Sequence, residues 1–387
     1  MPCDFFPDIE NTGIYLHIPF CAKKCRYCDF YSLPAADRLD AFVKALVKEI
    51  ELTGALVPGG VDTLYIGGGT PSLLTAGQVT AVLEAARASF HMAPDAEITI
   101  EANPDSATRP WMKAVRDAGI NRVNIGVQSF DDRTLAFLGR IHSARQAEAA
   151  LEAARESGFD NIGLDIIYAV PGQTGRAVEK DIETALAFHP EHLSCYMLTY
   201  ESGTPLTRAM ESHEFAPTAE DQAADLFETV CDALTGHGYL HYEISNFAKS
   251  PFFMARHNAK YWQRIPYAGL GPSAHSYTGT RRYWNPRDLE TCLAALEQDR
   301  LPEQDGETLA REQHMLETVY LGLRTAAGVS MDAFNAEFAG RFEDLFMPAI
   351  TACADLALLE TRSNRCVPTR RGMLFHETVA ARFADCL

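Results

Sequence analysis

The sequence carries no excess of positive charge and no long apolar run, and each absence removes a class of function. Lys and Arg number 34 against 52 Asp and Glu, a formal charge of -18 over 387 residues. Nucleic-acid binding without sequence preference needs a basic surface, and electrostatic docking on an anionic bilayer needs basic clusters. Neither is expected here. No apolar stretch approaches the roughly 18 residues of a spanning helix. The opening residues, MPCDFFPDIE, lack the basic and apolar regions of a secretory signal, so a cytoplasmic protein is expected, reaching a membrane only through a partner protein. A disulfide framework is absent too. Cys3, Cys195, Cys231, Cys292, Cys353, Cys366 and Cys386 are scattered and read as small buried apolar residues in a reducing compartment. Apolar residues form 47% of the chain, enough for a globular protein with one large domain and a smaller one.

The remaining three cysteines are not scattered. Cys21, Cys25 and Cys28 stand at spacing C-x3-C-x2-C in the stretch YLHIPFCAKKCRYCDF, Tyr15–Phe30. Thiolates suit iron–sulfur clusters or zinc. A structural zinc site closes a tetrahedron, and no fourth Cys or His follows in this loop. A cubane cluster can take three cysteines and keep one iron open for another ligand. The three cysteines alone leave both readings standing.

From Gly13 to about Tyr200, short strand-like runs alternate with helix-like stretches. Strands are expected at Ile14–Ile18, Asp62–Ile66, Ala96–Glu101, Arg122–Val127, Asn161–Tyr168 and His192–Leu198. Helices are expected at Ala36–Leu52, Thr75–Phe90, Thr108–Ala118, Asp131–Leu138, Ser143–Ser157 and Arg176–Phe188. Such alternation implies βαβ units and a parallel sheet, open or curled into a barrel. Side-chain alternation favours a barrel with a polar lumen. Tyr15 and His17 oppose Ile14, Leu16 and Ile18; Thr99 and Glu101 oppose Ile98 and Ile100; Asn124 and Gln128 oppose Val123, Ile125 and Val127; Asp165 opposes Leu164 and Ile166. Barrel chemistry sits at the C-terminal strand ends. There the chain carries the cysteine loop, Gly67-Gly68-Gly69-Thr70-Pro71, Glu101-Ala102-Asn103-Pro104 and Gln128-Ser129.

This succession resembles the radical S-adenosylmethionine (SAM) superfamily, and within it the HemW-type heme chaperones and their relatives, the oxygen-independent coproporphyrinogen III dehydrogenases. The likeness rests on Tyr15–Phe30, GGGTP, Glu101–Pro104, NIGVQSF (Asn124–Phe130), DIIYAVPG (Asp165–Gly172) and the C-terminal half. It implies a partial (β/α)6 TIM-type barrel. It implies a [4Fe-4S] cluster on Cys21, Cys25 and Cys28, whose open iron binds S-adenosylmethionine and whose electron cleaves it to methionine and a 5′-deoxyadenosyl radical. By motif position Tyr15, Gly68, Gly69, Thr70, Glu101, Gln128, Arg140 and Asp165 form the S-adenosylmethionine shell, and the backbone of Thr199 meets adenine. The dehydrogenase branch has a further cysteine where this chain has Phe30, and a longer arm where only fourteen residues precede Tyr15. Both departures favour the heme-chaperone branch.

In the second half a helix is expected over Glu220–Thr235 and a strand over His241–Ala248. Imidazole can ligate iron and aromatic rings can cover a porphyrin face. His257-Asn258-Ala259-Lys260-Tyr261-Trp262 matches the HNxxYW motif of the heme-chaperone branch, flanked by YEISNFA and GLGPSAH. The resemblance implies heme binding with an exposed His257 as axial ligand. Residues 1–295 are read as the barrel with its extension, 296–306 as a polar linker, and 307–387 as a mainly helical, winged-helix-like C-terminal domain. From Gly306 onward eight Arg and no Lys face eleven acids, so the wing offers no footprint for DNA. The expected partners are heme, recipient hemoproteins such as respiratory cytochromes, an electron donor and a second copy of the chain. The alternative is an oxidoreductase acting on coproporphyrinogen III.

Overall fold

The computed structural model describes residues 11–34, 38–57, 59–302 and 305–387. Six parallel strands form its centre: β1 (Thr12–Ile18), β2 (Gly60–Gly68), β3 (His91–Ala102), β4 (Arg122–Gln128), β5 (Ile162–Tyr168) and β6 (His192–Met197). Between them run α1 (Leu39–Gly54), α2 (Ala76–Ser89), α3 (Arg109–Ala118), α4 (Asp132–Leu138), α5 (Ala144–Glu156) and α6 (Gly175–Ala187). Helix starts are capped as their sequence dictates. Thr75 and Gln78 close a reciprocal capping box on α2, Ser143 and Gln146 close one on α5, and Asp131 accepts from the amides of Arg133 and Thr134 at α4. The first helix begins at Leu39; Ala36 and Asp37, where it was expected to start, lie outside the described residues.

The apolar faces of the strands turn outward against these helices. Ile14, Leu16 and Ile18 are buried in one core with Phe42, Leu46 and Ile50 of α1. Each such burial is worth roughly 1.5–3 kcal/mol. The other faces turn inward, so the lumen is lined by polar and aromatic groups, as the alternation predicts.

The barrel is open. β1 does not pair with β6. Its outer neighbour is β9 (Tyr267–Leu270), parallel, with Tyr15 beside Gly269. Antiparallel β10 (His275–Tyr277), β11 (Arg281–Trp284) and β12 (Asp305–Thr308) extend that edge. At the far edge β6 pairs with the hairpin of β7 (Leu240–His241) and β8 (Asn246–Ala248). The continuous strand expected over His241–Ala248 is therefore two strands. Glu243 breaks it: its carboxylate is buried in the turn and accepts from the amide of Ser245 and the side chain of Asn246. Two further helices border the sheet, α7 (Pro205–Glu211) and α8 (Glu220–Gly236), and α9 (Arg256–Gln263) closes the lower end of the lumen. The stretch read as a linker is shorter than expected. Leu296 and Glu297 finish α10 (Leu289–Glu297), and Asp305 and Gly306 belong to β12.

The C-terminal part has its own core. Three helices, α11 (Arg311–Leu323), α12 (Met331–Phe338) and α13 (Phe342–Asp355), open it; Phe334 of α12 and Phe342 and Phe346 of α13 pack with Phe383, near the C-terminus, at ring distances of 5.0–6.2 Å. A three-stranded antiparallel sheet of β13 (Val329–Ser330), β14 (Leu359–Arg362) and β15 (Arg365–Pro368) supplies the wing. The stretch read as mainly helical continues past the wing in two helices, α14 (Arg370–Leu374) and α15 (His376–Ala384). This part leans on the barrel through Arg370 with Glu228 and Arg324 with Glu243, each at 2.9 Å. Among the described residues no helix is long and apolar enough to cross a membrane.

Candidate functional site

The cysteine loop leaves β1 and is held at both ends. Phe20 and Cys21 pair in parallel with Leu33 and Pro34, and the amide of Leu33 donates to the carbonyl of Pro19 at 2.7 Å. Its middle is clamped between helices: the amide of Arg26 donates to Leu138 at the end of α4, and its carbonyl accepts from Leu206 in α7. His17 reaches up from the strand, with Nε2 2.9 Å from the Tyr31 carbonyl and Nδ1 3.0 Å from the hydroxyl of Tyr15.

The glycine run beside it exists because of crowding. A Cβ on Gly69 would lie 2.5 Å from the carbonyl oxygen of Phe20, and Gly68 takes φ +108° against the ring of His17. The loop at the end of β2 can thus lie directly under the cysteines. Thr70 donates its hydroxyl to the sulfur of Cys21 at 3.4 Å. Arg140 places Nη1 3.5 Å from the sulfur of Cys25. Burial pushes the Cys28 thiol up to about 11, so metal loading must displace a proton there. Among the described residues no three His, Cys, Asp or Glu side chains converge for a single metal ion. Cys21, Cys25 and Cys28 all line the same cavity, and soft thiolates there would suit an iron–sulfur cluster.

Below the cysteines lies a cavity of about 1160 Å³, and it gathers the residues that the sequence singled out from distant strand ends. Tyr15, Gly68, Gly69 and Thr70 line one side; Glu101, Gln128 and Arg140 the next; Asp165 and Thr199 the far side. Glu101 accepts from the hydroxyl of Tyr65 at 2.7 Å and the amide of Gly68 at 3.2 Å. Burial pushes its carboxyl up to about 7, these bonds opposing. Burial likewise raises Asp165, whose two oxygens each accept from Asn124 at 2.9 Å. Arg140 donates Nη2 to Asn103 and to the carbonyl of Gly126, both at 2.8 Å. Its Nε is buried with no hydrogen-bond partner, as is Oδ1 of Asn124. A guanidinium with a spare buried donor at a cavity wall fits a ligand carboxylate. Donors and acceptors around it suit the polar ends of a small zwitterion.

Asn103 was not singled out by sequence. It is the hinge of the shelf, donating to Thr70 at 3.1 Å while accepting from Arg140. Arg122 was missed as well. Its guanidinium is buried deep in the lumen, with Nε and Nη1 unpartnered. The Asn-Pro at the end of β3 was the one local signal for the first; nothing in a four-residue window marks the second.

His257 is the exception to this gathering. The ring expected to be exposed is 1% exposed and does not line the cavity. Nδ1 lies 2.9 Å from the Thr63 hydroxyl and Nε2 2.9 Å from that of Tyr261. Burial pushes it down to about 3, so it is neutral. The reason is the placement of α9 under the barrel. Glu97 accepts from the amides of Arg256 and His257, capping the helix start. Lys260, fully buried, meets Asp62 at 2.6 Å. Tyr261 packs edge-on to Tyr267, and Trp262 lies under the guanidinium of Arg324 at 4.5 Å. The HNxxYW segment thus forms the floor of the lumen, with neither ring nitrogen of His257 free in this conformation.

Comparison with known proteins agrees with this geometry. A profile of the radical SAM superfamily matches residues 15–185, and one of the HemN C-terminal domain matches residues 309–375. Curated relatives named heme chaperone HemW align along almost their whole length. That of Bacillus subtilis is 33% identical over 95% of this chain and 98% of its own, and that of Mycobacterium tuberculosis H37Rv 36% identical over 96% and 94%. In fold, the coproporphyrinogen III oxidase HemN of Escherichia coli superposes with a TM-score of 0.84 over 98% of this chain and 91% of its own, at 23% identity. Identity above 30% across nearly the full length of both chains, on a barrel whose strand ends meet at one cysteine-rimmed cavity, establishes that this chain belongs to the HemW family of heme chaperones within the radical SAM superfamily.

Proposed function

We propose that the protein binds heme and hands it to recipient hemoproteins such as respiratory cytochromes, with a [4Fe-4S] cluster and S-adenosylmethionine held in the same chamber. The observation that carries this reading is the size and two-sided lining of the cavity. At about 1160 Å³ it exceeds the roughly 300–1,000 Å³ of a site for one small ligand. The polar shelf of Glu101, Asn103 and Arg140 takes up one side, and Met197, Leu198, Ile244, Met373 and Phe375 give the other an apolar lining reaching into the C-terminal domain. Cys21, Cys25 and Cys28 would hold the cluster, which supplies one-electron chemistry when loaded from an electron donor. Arg140 would pair with the carboxylate of S-adenosylmethionine, Gln128 and Asp165 would bond its ribose or amine, and Thr199 would meet adenine. The shell orients that ligand and keeps water out. Ligation of heme by His257 belongs to an opened state in which Tyr261 has released Nε2. We place the protein in the cytoplasm, working as a monomer or a dimer of this chain.

Anaerobic titration of the reconstituted full chain with ferric heme tests the reading. Saturable uptake with a shifted Soret band supports it. No uptake, together with decarboxylation of coproporphyrinogen III under reductant and S-adenosylmethionine, would establish the oxidoreductase alternative. Phe30, 66% exposed at the cavity rim, offers no acid–base group for that chemistry.

Glu101 gives a pH prediction. Below about 7 its carboxyl is protonated; above, it is an anion facing the cationic ligand. S-adenosylmethionine should therefore bind more tightly as pH rises from 6 to 8, by up to about tenfold. Glu101→Gln should flatten the dependence in equilibrium dialysis. Stability runs the other way. With the folded value raised above the ordinary 4.5, the folded form holds the extra proton, and this contribution is lost as pH climbs from 4.5 towards 7.

A further inference from the structure

The lumen below the chamber holds a cation that the proposed function does not use. Arg122 opens β4, and its side chain is buried. The strand register explains where it goes. Glu101, Asn124, Gly163 and His192 stand side by side across β3 to β6, and Thr99 and Arg122 stand one row below. Gly163 leaves its place in the upper row without a side chain, and Arg122 and Asn124 fill it. A Cβ on Gly163 would lie 3.0 Å from Nη2 of Arg122 and 2.4 Å from Oδ1 of Asn124. Asn124 in turn donates to both oxygens of Asp165. The guanidinium therefore reaches the row of Glu101 and lies one residue pair, roughly 7 Å along the strand, beneath Asp165.

Among the described residues Arg122 makes no direct ion pair, and its Nε and Nη1 take no hydrogen bond. A guanidinium cannot shed its proton to escape burial, so its charge must be met by the groups around it. Facing it are Tyr65 of β2, Glu101 of β3, Asp165 of β5, His192 of β6, Tyr242 in the turn between β7 and β8, and His257 of α9. Burial keeps both phenols and both imidazoles neutral at neutral pH. The anions left to Arg122 are Glu101 and Asp165. Those two are otherwise faced by buried neutral groups, the phenols of Tyr15, Tyr27, Tyr196 and Tyr261 and the thiol of Cys195. Arg140 also faces Asp165, but its Nη2 is committed to Asn103 and Gly126. Without a cation below them, two carboxylates in one buried lumen would oppose each other's ionisation, and one would hold a proton.

We propose that Arg122 is a positioning residue of the S-adenosylmethionine site, an assignment that rests on the reading above: its fixed positive charge keeps Glu101 and Asp165 anionic, ready to receive a cationic ligand. Arg122 does not line the chamber, so it acts through the two carboxylates that do. The same charge repels a cation in the chamber, but from farther off than the carboxylates attract it.

The test is anaerobic equilibrium dialysis of S-adenosylmethionine against the reconstituted, cluster-loaded full chain from pH 6 to 9, for wild type, Arg122→Lys, Arg122→Met and Arg122→Gln. Arg122→Met should move the midpoint of the pH dependence up by about one pH unit and weaken binding at pH 7.5 by about threefold. Near pH 9 its curve should meet or cross that of wild type, because the carboxylates are then ionised and the repelling cation is gone. Arg122→Lys keeps the charge and should keep the wild-type midpoint. Arg122→Gln should behave as the methionine variant, and it serves where that one fails to fold, as judged by circular dichroism. A merely structural role would lower affinity equally at every pH. That parallel loss, or a wild-type midpoint in both uncharged variants, would overturn the assignment and leave S-adenosylmethionine binding intact. No binding by wild type would overturn both.

Discussion

Lys260→Met is expected to destabilise the barrel by about 3–5 kcal/mol, the cost of leaving one member of a buried ion pair alone. The methionine keeps the aliphatic stem, which packs on the backbone of Gly13, so the loss is chiefly electrostatic. What remains is Asp62, buried, with Arg256 at 3.5 Å as its nearest cation. Lys260 also donates to the carbonyl of Asn11, which ties the start of β1 to α9. At roughly 2.1 cal/mol/K of unfolding entropy per residue, a barrel near 290 residues should lose about 5–8 °C in melting temperature. Thermal unfolding followed by circular dichroism checks this. Asp62→Asn together with Lys260→Met should recover part of the loss, since no uncompensated carboxylate is then buried. A single variant as stable as wild type would show that α9 does not seal the floor.

Arg140→Lys should cost S-adenosylmethionine affinity by roughly 10- to 100-fold with little change in fold. The guanidinium does three things at once: it holds Asn103, holds the carbonyl of Gly126 and lies beside the sulfur of Cys25. Its Nε is buried without a hydrogen-bond partner. A lysine ammonium cannot reproduce that fork, and charge-assisted hydrogen bonds are worth about 1.5–3 kcal/mol each. Calorimetric titration on cluster-loaded protein measures the loss. Retention of wild-type affinity would remove Arg140 from the binding shell.

The parallel half of the fold was legible because each strand opposes apolar to polar residues and each helix is long enough to show its period. The extension was not. β9 and β10 have four and three residues, too few for a period, and they are strands because β1 and β9 complete one another's hydrogen bonds. The break at Glu243 was hidden for a related reason: a turn held by one carboxylate looks, in sequence, like a strand with a polar residue. Asn103 and Arg122 were missed because the one matters through partners 33 and 37 residues away and the other through burial, with Nε and Nη1 left unpartnered.

The sequence by itself determined the chemistry at the strand ends. Three thiols, a glycine run, Glu101, Gln128 and Asp165 recur at the same point of successive βα units, and a parallel barrel must bring such points together. It could not determine which histidine faces the chamber. His257 sits in the motif that points to heme, yet Glu97, Asp62 and Thr63 draw its helix into the floor and both ring nitrogens are taken. His275 was one residue in a glycine-rich flank. Only the closing of β10 against β9 sets it at the chamber wall, because burial and hydrogen bonding are properties of neighbours that the chain brings together only when it folds.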